Sequence, residues 1–225
     1  MEDLLGIKEN NLPIPNSAEW ELKTHRSGSN SLTTLFHLEP SPRSQKLVTS
    51  ILLPKYGWRH EEAGIKYPKT EMSFRQTINF QSRTDRGFGL VFDKDETKLM
   101  VSFDYTNVSP RHTEWLNSVK VRVGHLGELN PQPYWGLDDL YHKAATKLYN
   151  CFFVEADVKK ENGTEQYWYN KIYMLTKFDK EKFIAGIKSG FVLVDFDARS
   201  GHNHGTKFRV REDRIPDLYL NVKEF

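Results

Sequence analysis

Glu19-Trp20-Glu21-Leu22-Lys23 carries two carboxylates and an amine at alternate positions. Successive side chains of an extended chain point to opposite faces, so Glu19, Glu21, Lys23 and His25 share one face and Trp20, Leu22 and Thr24 the other. Glu21 and Lys23 then stand roughly 6.5–7 Å apart along the strand. Such a pair suits hydrolysis of a phosphodiester. A hard cation such as Mg²⁺ takes oxygen ligands, usually one or two carboxylates plus substrate phosphate. It lowers the pKa of its water and polarises the phosphoryl group. The nearby ammonium orients the attacking water and offsets charge growing on phosphorus. Taken alone, the tripeptide is more simply explained by a solvated same-face ion pair.

The elements that must hold these groups follow from hydrophobic period. Residues 18–25 alternate and read as a strand, with Trp20 and Leu22 expected to anchor it in the core. A Ser/Gly turn over 27–31 leads to a second strand, 32–38, and the two predict a hairpin. Leu47, Val48, Ile51 and Leu52 share one face of a helix over 44–53. Further strands are expected at 72–80, 89–92, 98–104, 119–123, 152–157, 167–175, 192–196, 206–210 and 218–222. Helices are expected over 136–148 and after an Asp179 cap, the latter with Phe183, Ile184 and Ile187 on one face. Tyr167-Trp168-Tyr169 alternates faces and reads as core and surface packing rather than a stacking platform. The sum is α/β or α+β, a mixed central sheet flanked by helices, in one domain or with a second lobe.

Bulk properties set the frame. With 225 residues the chain is long enough to bury a substantial core, and 38% hydrophobic against 28% charged residues is the balance of a soluble globular protein. The net charge of +2 neither demands nor excludes a nucleic-acid partner, so the placement of charge matters more than its sum. The single cysteine, Cys151, excludes an internal disulfide, points to a reducing compartment and reads as a small buried hydrophobe. No signal peptide or stretch of ~20 apolar residues is present, so the expected location is cytoplasmic, with no membrane partner and with the sequons at Asn107 and Asn162 idle. Glu2-Asp3-Leu4-Leu5-Gly6 reads as the last turn of a helix with a Gly cap, which predicts a protein that begins upstream.

Three blocks carry a family resemblance. Glu2-Asp3-Leu4-Leu5-Gly6, then a loop, then Glu21-Leu22-Lys23-Thr24 resembles the core of the MutH-like nucleases, a branch of the PD-(D/E)xK group. Ser31-Leu32-Thr33-Thr34-Leu35-Phe36, followed by Pro40-Ser41-Pro42-Arg43 and Tyr56-Gly57, resembles the MvaI and BcnI restriction endonucleases. His202-Asn203-His204-Gly205-Thr206-Lys207-Phe208-Arg209 is similar to a segment of the MvaI branch. Together the blocks cover about a third of the chain; residues 64–190 match only loosely.

The resemblance implies a restriction-endonuclease-like core of two lobes around a DNA cleft. It implies a Mg²⁺-dependent, site-specific endonuclease that acts as a monomer on double-stranded DNA at sites like CC-N-GG. Glu21 becomes the metal carboxylate, Lys23 the lysine of the site, and Glu2 an accessory acid. Residues 1–105 are expected to form the catalytic core and 106–225 the recognition elements of a single nuclease domain. His202, His204, Lys207 and Arg209 are expected to read base edges or contact backbone, with Arg43, His25 and Arg26 as further DNA contacts. Arginine's fork matches guanine O6 and N7, and histidine donates to either.

Asn16 departs from the pattern, standing where the family carries an aspartate. A carboxamide offers one neutral oxygen and removes a full charge from a hard-ion site. Three explanations stay open: an engineered Asp-to-Asn change, Glu19 supplying the second carboxylate, or a natural loss of cleavage. Two alternative functions follow, a DNA-binding module without cleavage and a MutH-like strand-nicking enzyme; the block 202–209 favours the restriction type.

Overall fold

The computed structural model describes residues 6, 15, 19–29 and 31–225. Its strands are β1 (Trp20–Arg26), β2 (Leu32–His37), β3 (Trp58–Arg59), β4 (Met72–Ile78), β5 (Arg86–Phe92), β6 (Lys98–Val108), β7 (Tyr134–Gly136), β8 (Asn150–Glu161) and β9 (Thr164–Phe178). After these come β10 (Val192–Arg199), β11 (His202–Asn203), β12 (Lys207–Arg211) and β13 (Tyr219–Glu224). Among the described residues three α-helices join them: α1 (Thr113–Val123), α2 (Leu137–Leu148) and α3 (Lys180–Lys188). This is the mixed α+β composition implied by the sequence, with the strands shared among three sheets.

Contacts divide the chain into two compact units that interleave in sequence. The first comprises Met1–Phe36, Tyr141–Gly186 and Arg209–Phe225, the second His37–Leu140 and Ile187–Phe208.

The first unit is built on a mixed sheet in the order β1-β8-β9-β13. β1 runs parallel to β8, with Glu21 opposite Cys151 and Lys23 opposite Phe153. Cys151, Phe153 and Val154 of β8 and Leu175 of β9 are buried, as the apolar run of an interior strand requires. α3 opens where Lys182 N–H donates to Asp179 Oδ1 at 2.9 Å, so the expected cap is in place. It turns Phe183 onto Phe178, with ring centroids 5.4 Å apart. A bulge at Glu155/Ala156 marks where β8 and β9 leave the core. Beyond it they continue as an exposed two-stranded ribbon, turning through Asn162 and Gly163 at φ 50° and 82°, the signs that a two-residue primed turn demands.

The second unit holds two antiparallel sets of strands, β10-β4-β3 with β11 against β10, and β5-β6-β7. Its core is aromatic: Phe88 contacts Phe74 at 5.3 Å and Phe103 at 5.0 Å, and Trp115 Nε1 donates to the carbonyl of Tyr56. Gly87, at φ 76°, sits at an irregularity of β5 where an added Cβ would lie 2.3 Å from the carbonyl of Asp104, so only glycine fits.

Several elements differ from the sequence reading. The β1–β2 hairpin does not form. β1 pairs with β8, whose apolar residues offer it a buried partner, and β2 lies in a different sheet. Residues 119–123 are the end of α1 rather than a strand. Trp115 and Val119, four apart, are buried while Val121 is 85% exposed, so helical period outweighs the β preference of valine. The helix expected over 44–53 divides into a 3₁₀ turn, Arg43–Gln45, and a π-helical segment, Val48–Tyr56. Lys46 in the left-handed region separates them.

Two burial expectations are also corrected. On β1 the charged face is the covered one: Glu21 and His25 are buried, Trp20 and Leu22 only half-buried. Trp20 instead stacks on Phe152 at 4.4 Å. Tyr167, Trp168 and Tyr169 are all exposed, because they lie on the ribbon past the bulge, where no layer of the described residues covers either face. Cys151 is a buried hydrophobe, as expected.

Candidate active site and nucleic-acid interface

Glu21 is 1% exposed, an unusual place for a carboxylate. Its Oε1 lies 2.7 Å from Lys23 Nζ and 3.5 Å from Lys147 Nζ. Its Oε2 is buried and has no hydrogen-bond partner among the described residues. Leaving a buried acceptor unsatisfied costs about 1–3 kcal/mol, more for a charged group. A fold that keeps such an atom does so where something else binds it. Below the carboxylate, Cys151 faces Glu21 across the parallel pair. Burial pushes the Cys151 thiol up to about 12, the nearby Lys23 opposing and Glu21 adding to the shift. Burial also holds the Tyr219 hydroxyl well above its ordinary range, with Cys151 and Glu21 contributing. The floor is therefore neutral, and Glu21 is its acidic group.

This arrangement fits a hard divalent ion. One buried carboxylate oxygen has no partner among the described residues, the donor is oxygen, and a lysine stands beside it. Among the described residues, no group of three His, Cys, Asp or Glu side chains gathers as a metal cage. Glu19 is exposed where the chain enters β1. Glu2 and Asn16 lie outside the described residues.

His25 and Arg26, at the end of β1, line an open concavity of about 460 Å³ together with Ser29, Ser31, Tyr167 and Glu212. His25 Nδ1 is 2.7 Å from Glu212 Oε2, and its ring stacks on Phe153. Arg26 Nη2 donates to Tyr167 Oη at 2.6 Å and pairs with Glu165 at 3.1 Å, more than half exposed. Arg209 is half-buried and Nη2 donates to the carbonyl of Leu32, so part of its fork serves the backbone of β2.

In the second unit, His202 and His204 are exposed and touch edge to face, 4.2 Å between centroids. Glu39 fixes their loop, accepting from Thr206 N–H at 2.8 Å and from Asn203 Nδ2 at 3.3 Å. Lys207 Nζ and Arg75 Nε both reach Asp197, at 3.3 and 3.4 Å. Arg199 pairs with buried Glu71 at 3.1 Å and lies over the ring of Tyr67. His60, Arg75, Arg199 and His204 share one concavity of about 210 Å³. Arg43 is exposed on its 3₁₀ turn.

The structure thus brings Glu21 to Lys23, His25 to Arg26, and His202 to His204. Lys147, Glu39, Glu212, Arg75 and Arg199 are additions that sequence reasoning misses. Each acts through a partner distant in sequence, so no local spacing announces it. The nearest signal is at Lys147, a lysine beside the apolar stripe of α2.

Comparison with known proteins gives the class first: the chain is a type II restriction endonuclease, an enzyme that acts on DNA. The model of the MvaI/BcnI restriction endonuclease family matches residues 1–219, and the chain belongs to that family. No curated protein matches the sequence. The fold is shared with restriction endonuclease MvaI in complex with its cognate DNA substrate, at TM-score 0.74 and 24% identity over 99% of this chain and 85% of that one. It is shared also with MvaI in the absence of DNA, at TM-score 0.60 and 22% identity over 99% and 82%. Restriction endonucleases generally use divalent metal ions.

Proposed function

We propose that this protein is a Mg²⁺-dependent endonuclease that cuts both strands of double-stranded DNA at sites like CC-N-GG, working as a monomer. The observation that carries the reading is the buried Glu21 carboxylate, with Lys23 on one oxygen and the other oxygen unpartnered among the described residues. Glu21 Oε2 would hold the ion, with Glu19 as the acid nearest in sequence and Asn16 contributing a neutral oxygen. When bound, Mg²⁺ supplies an acidified water and polarises the scissile phosphate. Lys23 Nζ, 2.7 Å from Glu21, orients the attacking water and offsets the charge that develops on phosphorus. The neutral floor of Cys151 and Tyr219 keeps competing charge away from the ligand oxygen.

In this reading the first unit carries cleavage and the second carries recognition. His202 and His204, exposed on a loop pinned by Glu39, read base edges. Arg43 and Lys207 join them, while His25 and Arg26 meet the phosphodiester backbone beside the cleavage site.

A second reading rests on Asn16. With that carboxylate replaced by an amide, the chain as it stands binds its site and cleaves slowly or not at all. Making Asn16→Asp and assaying plasmid cleavage with Mg²⁺ separates the two. A gain of double-strand cleavage supports a nuclease held back at this position. No gain leaves Glu19 or a pure binding role, and nicking of one strand only points to the MutH-like alternative.

A further inference from the structure

We propose that Lys147 is a resident countercharge of the cleavage site, one that competes with the divalent ion for Glu21 and yields its place when DNA binds. The inference rests on Glu21 being the metal ligand. Lys147 lies in the last turn of α2, between the buried Ala144 and Leu148, so core packing fixes where its side chain begins. That side chain is 18% exposed and ends 3.5 Å from the same Glu21 oxygen that Lys23 holds at 2.7 Å.

Among the described residues, two cations lie on one oxygen and none on the other, which is not what neutralising a buried acid requires. Lys23 alone would do that. Among the described residues, the second cation leaves the spot with one carboxylate against two lysines. A divalent ion at Oε2 would sit a few ångströms from both, and like charges at that distance repel strongly even at the effective dielectric of a protein. The protein without DNA therefore holds metal weakly. A phosphodiester brings the missing negative charge. Lys147 then exchanges Glu21 for a phosphate oxygen, and metal and DNA bind with positive coupling, each raising the affinity for the other by the same factor.

The test uses the full chain without DNA and Mn²⁺ as the probe, titrated by the paramagnetic resonance of the free ion. Lys147→Met, which keeps the length and removes the charge, is expected to bind Mn²⁺ roughly tenfold more tightly or better, given the Coulomb term removed. Lys147→Arg, which keeps the charge, is expected to match the unmodified chain. Adding DNA should tighten Mn²⁺ binding less in Lys147→Met than in the unmodified chain. Should Lys147→Met not fold without metal, refolding with Mn²⁺ to a state that chelation unfolds supports the proposal equally. Failure to refold at any Mn²⁺ concentration overturns the proposal, as does a folded Lys147→Met that binds no more tightly than the unmodified chain. Glu21→Gln separates the two layers: Mn²⁺ affinity that survives it removes the metal site itself, and with it the basis of the inference.

Discussion

Glu212 and His25 stand 187 residues apart in sequence, yet Glu212 Oε2 lies 2.7 Å from His25 Nδ1. The other oxygen of Glu212 accepts from Thr33 Oγ1 at 2.8 Å. One carboxylate thereby joins β1 to β2, strands that are consecutive in the chain but belong to different sheets. It supplies a connection that a hairpin would otherwise make. Glu212→Ala should destabilise the protein by roughly 1–3 kcal/mol, because it strands a buried imidazole nitrogen. Urea unfolding measures this, and an unchanged midpoint would show that the link is idle.

Glu39 plays the corresponding part for the histidine loop, binding Thr206 and Asn203 on either side of His204. Glu39→Ala is expected to lower affinity for specific DNA while binding to unrelated DNA stays constant, since phosphate contacts dominate non-specific binding and the proposed role of this loop is to read base edges. Gel-shift titrations on the two DNAs at fixed salt make the comparison. Equal losses on both would remove the loop from recognition.

Arg209, expected from the sequence among the base-reading groups, reaches the carbonyl of Leu32 with its guanidinium. Arg209→Ala should therefore cost roughly 1.5–3 kcal/mol of stability, the range for a hydrogen bond to a charged group, and weaken DNA binding alike on all sequences. A selective loss at guanine positions of ~1–3 kcal/mol with stability unchanged would support direct readout by Arg209 instead.

Cys151 gives a prediction with a definite sign in pH. Its thiol is raised by burial from 9.0 to about 12 in the fold. The folded state thus binds the proton more tightly than the unfolded one. The associated stability is fully present below pH 9 and is lost as pH rises toward 12. Cys151→Ala should flatten that part of the stability curve, as followed by denaturant unfolding across alkaline pH. The same burial makes the thiol inert to iodoacetamide at about pH 8 until the protein unfolds; rapid labelling of the native protein would contradict the placement.

The sequence is most legible where a local pattern and the tertiary outcome agree. The Asp179 cap, the stripe of α2 and the apolar run of β8 all appear where their residues imply. Glu21 and Lys23 are legible as a same-face pair from period two alone. The burial of that face is not, since nothing local says that a strand will bury its acid and leave Trp20 half-covered. Residues 119–123 mislead because valine favours strands, while the deciding contact, Trp115 reaching the carbonyl of Tyr56, spans 59 residues. Lys147, Glu39 and Glu212 escape for the same reason: each takes its meaning from a partner that only the fold supplies. The exposure of Tyr167, Trp168 and Tyr169 depends on a bulge that alternation conceals.

The measurement that bears most directly on the site is single-turnover cleavage of a plasmid carrying CC-N-GG sites, with Asn16→Asp as the reference and Glu21→Gln added to it. With Mg²⁺, Asn16→Asp should cut both strands, and the added Glu21→Gln should slow cutting by roughly a thousandfold, the equivalent of several kcal/mol of metal-derived stabilisation, with DNA affinity little changed. Cleavage that proceeds at the same rate without the Glu21 carboxylate would contradict the assignment of that buried oxygen to the metal.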